Sequence, residues 1–273
     1  MLTPKFCRIA IVVDDMASFT RDVGRLLGIE FVRPKLDELF EGFTVMFGEH
    51  GLEPIALETD MPFARDGRLI EIAVDVASAE RTKAAFEASG YKPIVANYLP
   101  APGATEYLFG RDFHGLPVMI CTAGDNETQM REQGDFLALE DAPLPKIGCV
   151  SVFVDDLEKA SQDFERLIDM HFVPTEAAGL GTRAVVGPHR VKLVESGSSE
   201  QAKKLERPLA AIEFAYDDVE PVRQRLVEAG YPVLHERPLQ TGGKAYYFGA
   251  TVQGMPIGVY PISAEREILG LQD

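Results

Sequence analysis

The chain has 273 residues, 46% of them hydrophobic, a length that suggests about two domains with buried cores. Asp and Glu number 43 against 27 Lys and Arg, a formal net charge of −16, so the protein's field repels nucleic-acid backbones and anionic membranes, and neither is an expected partner. No window reaches the roughly 20 apolar residues of a membrane span, the opening lacks signal-peptide character, and Cys7, Cys121 and Cys149 form no CxxC or zinc pattern, a profile expected of a cytoplasmic protein.

The stretch CRIAIVVDDM at 7–16 predicts a strand entering a helix. In that helix Phe19, Val23, Leu26 and Leu27 share one face, Asp14 or Asp15 is the expected N-cap, and Gly28 the left-handed C-terminal cap. Three strand-like runs follow, around Phe31, Val45 and Ile55. A second unit opens near residue 68, has a helix ending in SGYKP, and closes with the hairpin GATEYLFGRDFHGLPV at 103–118. Residues 126–145, acidic, aperiodic and ending in prolines, are expected to link two domains.

Beyond that linker the opening returns. CVSVFVDDLE at 149–158 repeats it, with Leu157, Ala160, Phe164, Leu167 and Ile168 as the buried helical face. GGKAYYFGATVQGMPI at 242–257 then matches the earlier hairpin. The chain therefore reads as four copies of strand, helix and three strands, roughly 5–60, 68–122, 146–196 and 208–261. The expected fold class is α+β, with the copies paired into domains at 1–125 and 146–273.

The V-D-D-M or V-D-D-L before each odd-numbered helix, LLGIEFV after the first, and the HGLPV or QGMPI turn before a last strand resemble the vicinal oxygen chelate superfamily. That superfamily includes glyoxalase I, bleomycin resistance proteins and extradiol dioxygenases. The resemblance covers nearly the whole chain and implies four βαβββ modules forming two domains with curved mixed sheets. It says little about function, because the fold hosts metalloenzymes and binding proteins alike.

Alternation along the first strand separates apolar Ile9, Ile11 and Val13 from Arg8, Ala10 and Val12. The resemblance implies that the second face lines a cavity, where a His or Gln on each first strand and a Glu on each last strand hold a metal. The corresponding positions are Arg8, Glu71, Cys149 and Ala211 on first strands, and Ala56, Met119, Lys192 and Gly258 on last strands. These residues offer a divalent ion little, so no metal and no cofactor is expected. Arg8 with Glu71, and Lys192 with Glu213, are expected to replace the metal with an ion pair in each half.

Other residues carry two readings. Arg8 either grips a ligand carboxylate or phenolate, or neutralises Glu71 or Glu58. Lys192 is a weaker anchor, since lysine snorkels. Cys149 is a nucleophile only beside a base, and otherwise an inert buried thiol. Tyr107, Tyr246 and Tyr247 either pack the wall or offer a hydroxyl. His50 and His189 are expected in equivalent turns, and His114 in another. The candidate ligand-binding set is Arg8, Glu71, Tyr107, Met119, Cys149, Lys192, Glu213 and Tyr246.

The leading functional expectation is a cavity for a small, partly aromatic or carboxylated organic molecule, in a binder or a cofactorless enzyme. A metalloenzyme with displaced ligands such as Glu58 or His114, and a non-catalytic interaction module, are the alternatives. A homodimer is a further arrangement compatible with the chain.

Overall fold

The computed structural model describes residues 4–35, 42–48, 51–58, 68–134, 144–177, 182–196 and 208–271. The first module runs β1 (Lys5–Val12), α1 (Met16–Leu27), β2 (Phe31–Val32), β3 (Phe43–Val45), β4 (Phe47–Gly48) and β5 (Leu52–Leu57). The second runs β6 (Leu69–Val76), α2 (Ala79–Ala88), β7 (Pro93–Leu99), β8 (Ala104–Phe109) and β9 (Val118–Thr122), followed by α3 (Asp125–Gly134). The third comprises β10 (Lys146–Val154), α4 (Leu157–Ile168), β11 (Val173–Glu176), β12 (Arg183–Val186) and β13 (Val191–Glu195). The fourth comprises β14 (Leu209–Tyr216), α5 (Glu220–Glu228), β15 (Val233–Pro238), β16 (Lys244–Phe248) and β17 (Ile257–Pro261), before a short α6 (Glu265–Ile268). No helix among the described residues is long and apolar enough to cross a membrane.

Each half forms one curled mixed sheet, of nine strands in the first and eight in the second. At the centre of the first, β1 lies antiparallel to β6, and each has a parallel outer neighbour, β5 and β9. The second sheet repeats this with β10, β14, β13 and β17. The helices start and stop where local chemistry dictates. Asp15 caps α1 by accepting from the Ser18 amide, and Gly28 ends it at φ 79°.

A β-bulge interrupts the alternation near the start of each domain's first strand. Pairing shifts between Phe6 and Arg8 on β1, and between Ile147 and Cys149 on β10. A bulge sets two residues against one, so two consecutive side chains reach the same face. Phe6 thus joins Ile9 and Ile11 in the core, while Cys7 packs with Ala73, Leu108, Met119 and Cys121 on the other side.

The convex faces of both sheets share one apolar core with the helices. Phe19 on α1, Phe86 on α2, Phe164 on α4 and Leu226 on α5 all belong to it and are fully buried. Phe113 of the first half lies 5.0 Å from the Phe164 ring of the second. Polar contacts reinforce the seam: His114 Nε2 sits 2.9 Å from Asp163 Oδ2, and the Tyr216 hydroxyl donates to the Leu27 carbonyl at 2.8 Å. His114, at φ 54°, is a turn residue that also ties the two halves together. His189 is buried, and its neutral ring is favoured by burial, which lowers its pKa to about 4; His50 lies outside the described residues.

Phe164→Ala removes a buried ring from this shared core, and the expected loss is about 3–5 kcal/mol. Urea unfolding followed by circular dichroism will show it as a lower midpoint.

Candidate functional site

The concave face of the first sheet carries the charges. Arg8 reaches this face from β1, and every part of its guanidinium is engaged. Nε donates to Glu71 Oε1 at 2.9 Å, Nη2 donates to both Glu106 oxygens at 2.9 Å, and Nη1 donates to Asn126. Glu53 on β5 adds a third carboxylate, 3.6 Å from Nε. Arg8, Glu53, Glu71, Glu106 and Asn126 are all buried.

The balance of this cluster is one cation against three carboxylates. Burial raises the pKa of Glu53 to about 8, outweighing the attraction of Arg8, and Glu71 and Glu106 push it further up. Burial also raises Glu71, again against the pull of Arg8. For Arg8 burial works the other way, but the three glutamates hold its pKa well above the ordinary value. The guanidinium is therefore permanently charged, and part of the excess negative charge is neutralised by protons.

Beside the cluster lies a cavity of about 280 Å³. Its walls are largely apolar, with Phe43, Phe47, Ile55, Leu108, Met119 and Met130, and its polar end is formed by Arg8 and the glutamates. Helix α3 roofs it. The segment expected to be a linker from residue 126 therefore begins as a helix whose Asn126, Gln129 and Met130 line the cavity. Their spacing of three and four residues is helical, but two of the three are polar, so no apolar period marks them.

The last-strand position at Ala56 needs correction. Ala10 pairs with Glu53 just as Ser151 pairs with Lys192, so Glu53 occupies the place equivalent to Lys192. Ala56 packs instead against the helix-side core. The error comes from matching the proline of PIALE to that of PVMIC; Pro54 lies within β5, whereas Pro117 precedes β9. Glu58, weighed as a counter-charge or displaced ligand, is exposed and accepts from Thr44 Oγ1 at 2.9 Å.

Tyr107 and Tyr246 also fall on the other face. Their hydroxyls donate to Glu80 on α2 and Glu220 on α5, and both rings join the helix-side core. On β8 it is Glu106 and Leu108 that face the cavity, and on β16 Tyr247 takes the concave side. Met119 lines the cavity as its position implied.

In the second half the equivalent space is packed. Lys192 Nζ donates to Glu213 Oε1 at 2.6 Å, with both side chains at 0% exposure. Ser151 donates to the same oxygen at 2.9 Å, and the Tyr247 hydroxyl to Oε2 at 3.1 Å. A Cβ placed at Gly258 would sit 2.9 Å from the Tyr247 ring, which fills the volume a larger residue would need. Cys149 is fully buried beside this pair; burial raises its thiol pKa to about 12, and its Sγ donates to the Val150 carbonyl.

The arrangement of these two sheets has relatives of known structure, and the second half has a sequence match. Residues 146–258 match the Glyoxalase/Bleomycin resistance protein/Dioxygenase superfamily. This half is a member of that superfamily. Among curated proteins none matches the chain. A 4-hydroxymandelate synthase mutant from Streptomyces coelicolor superimposes with a TM-score of 0.68 at 12% identity, covering 96% of this chain and 93% of its own. The Mn(II)-bound glyoxalase from Novosphingobium aromaticivorans gives 0.62 at 15% identity, with 94% and 81% covered. BphC, a halotolerant catechol dioxygenase, gives 0.61 at 12%, with 94% and 86% covered. At these identities the likeness establishes the fold, which both halves share.

The superfamily's metal does not fit the first-half positions. Glu53 and Glu71 are oxygen donors, but the Arg8 guanidinium is hydrogen-bonded to Glu71 and stands between them, where a second cation would be repelled. In the second half Lys192 occupies the corresponding donor position and is bound to Glu213.

Arg8→Met will strand buried carboxylates and is expected to cost about 3–5 kcal/mol near pH 8, falling at pH 5, where Glu53 is protonated; urea titrations at the two pH values test this. Glu53 has the opposite sign to a salt-bridged acid. Its folded pKa of about 8 lies above the ordinary glutamate value of 4.5, so its contribution is complete below pH 4.5 and is lost as pH rises through 8. Glu53→Gln should therefore flatten the decline of melting temperature between pH 6 and 9.

Proposed function

We propose that the first-half cavity binds a small organic molecule with an apolar, ring-sized body and a head that donates hydrogen bonds or carries positive charge. The single observation behind this reading is the cavity of about 280 Å³ with an apolar wall at one end and a carboxylate surplus at the other. Drug-sized ligands occupy about 300–1,000 Å³, and an engineered cavity of about 150 Å³ already takes benzene. One substituted ring is the matching scale.

The polarity of the head follows from the charge count. Arg8 is the only cation facing the cavity among the described residues, and its donors are already used by Glu71, Glu106 and Asn126. A ligand carboxylate would meet Glu53 and Glu71 with no free cation to receive it. A phenol or amide would instead donate to the Glu53 carboxyl, and an amine would take its proton to form an ion pair; no described residue hydrogen-bonds that side chain, whose nearest charged partner is Arg8 at 3.6 Å. The catechol named for BphC is an aromatic of this donor type, which supports the reading by analogy.

Calorimetric titration with a panel of arylalkylamines, phenols and benzoates tests the proposal. Amines and phenols should bind and benzoates should not. Ile55→Trp, which fills the cavity, should abolish binding while the circular dichroism spectrum is retained. Glu53→Gln should weaken the amines by about tenfold, the scale of one charge-assisted hydrogen bond. Tight benzoate binding would reverse the assignment.

A further inference from the structure

Where β1 begins and β9 ends, three donor side chains converge that the cavity reading leaves unused. Cys7 comes from the β1 bulge, Asp75 from β6 and Cys121 from β9, and their donor atoms lie within 4.8 Å of one another. The topology makes this possible because β6 lies between the other two strands, with Asp75 paired directly to Cys121. Strict alternation would send Cys7 to the helix side; the bulge turns it to the concave face.

The cluster is built unlike ordinary packing. Asp75 is hydrogen-bonded to Cys7, but its Oδ1 is buried with no hydrogen-bond partner, a state native proteins rarely leave uncompensated. Cys7 and Asp75 remain partly exposed while Cys121 is buried, so one side opens to solvent. The second half fills the equivalent place with an aromatic side chain. There Gly148, Ala215 and Tyr260 stand in the positions of Cys7, Asp75 and Cys121. The Tyr260 ring occupies the space, and a Cβ on Gly148 would overlap its hydroxyl.

The surroundings favour a positive guest. Glu106 Oε2 lies 3.2 Å from Cys121 Sγ, and Asp125 and Glu127 on α3 add negative charge near Asp75. Arg8 opposes a guest cation, but its charge is already opposed by Glu53, Glu71 and Glu106.

We propose that Cys7, Asp75 and Cys121 form a binding site for a divalent transition-metal cation of zinc type, with water as the fourth ligand. Two thiolates and a carboxylate are a donor set zinc accepts, and the site is separate from the superfamily's metal positions. Zinc with Zn–S bonds of about 2.3 Å separates tetrahedral sulfurs by about 3.8 Å. Donor atoms within 4.8 Å need close by no more than about 1.3 Å to reach that geometry, the carboxylate oxygen included. On binding, each thiol releases its proton to solvent as the sulfur takes the cation, and no oxidant is involved.

The test uses the full-length protein, stripped with a chelator and titrated with Co(II) and then Zn(II). One cobalt per chain should appear with a near-ultraviolet thiolate-to-cobalt charge-transfer band that zinc removes. Cys7→Ser and Cys121→Ser should each lose the band, and Cys149→Ser and Glu53→Gln should keep it. A measurement free of variants accompanies it: zinc should slow iodoacetamide alkylation of Cys7 in the wild-type chain at least tenfold, read by mass spectrometry. If the cysteine variants fail to fold, the alkylation result decides alone. The proposal is overturned by a wild-type chain showing neither band nor protection, by a band that survives both cysteine substitutions, or by a band that depends on Glu53.

Discussion

A single buried guanidinium facing three carboxylates determines what the first half of this protein can hold. Arg8 satisfies Glu71 and Glu106 directly and approaches Glu53 at 3.6 Å. A buried charge without a partner is costly, so the cluster persists through these bonds and through protons on the carboxylates that remain in excess. Two consequences follow from the same count. The position between Glu53 and Glu71 is closed to a metal ion, and the cavity beside it presents acceptors more readily than donors.

The two halves show that one fold accommodates opposite solutions. In the second half the concave face also carries one cation and one glutamate, Lys192 and Glu213, but Ser151 and Tyr247 complete the bonding and the pair is sealed at 0% exposure. Lys192 and Glu213 pair one to one there, without the carboxylate surplus of the first half. In the first half the surplus carboxylates lie against open volume. The difference rests on substitutions at equivalent positions of the inner strands, among them Arg8 for Cys149, Glu53 for Lys192, Glu71 for Ala211, Ala73 for Glu213, Met119 for Gly258 and Cys121 for Tyr260. Bulk and charge at the ends of the inner strands, with the backbone held constant, decide whether a half is filled or hollow.

Much of this was legible from the residues. Recurring sequence segments marked the modules, helical periodicity found the buried faces of α1 and α4, and alternation placed Arg8 and Glu71 together, where they lie 2.9 Å apart. The failures have physical causes. Pro54 inside β5 displaced the frame that would have found Glu53. Glu106 is the one charge in the run TEYLF, where Tyr107 beside it is the bulkier side chain and faces the helices. Helix α3 buries a polar surface, and hydrophobic periodicity cannot register a helix that packs by Asn126 and Gln129.

The bulge on β1 is the feature that alternation could not supply, and it links the two candidate sites. By turning both Cys7 and Arg8 to the concave face it places a thiol and a guanidinium in sequence on one wall. Glu106 on β8 bridges Arg8 to Cys121 of the same cluster, accepting from Arg8 Nη2 at 2.9 Å and from Cys121 Sγ at 3.2 Å. Charge added at the cysteine end is felt by the carboxylate that anchors Arg8, over distances at which a low-dielectric interior screens weakly. The cavity's acceptor strength and the donor cluster's protonation are therefore set together through Glu106. A substitution there would disturb both, whereas Glu53 and Asp75 each stand on one side of it and separate the two sites.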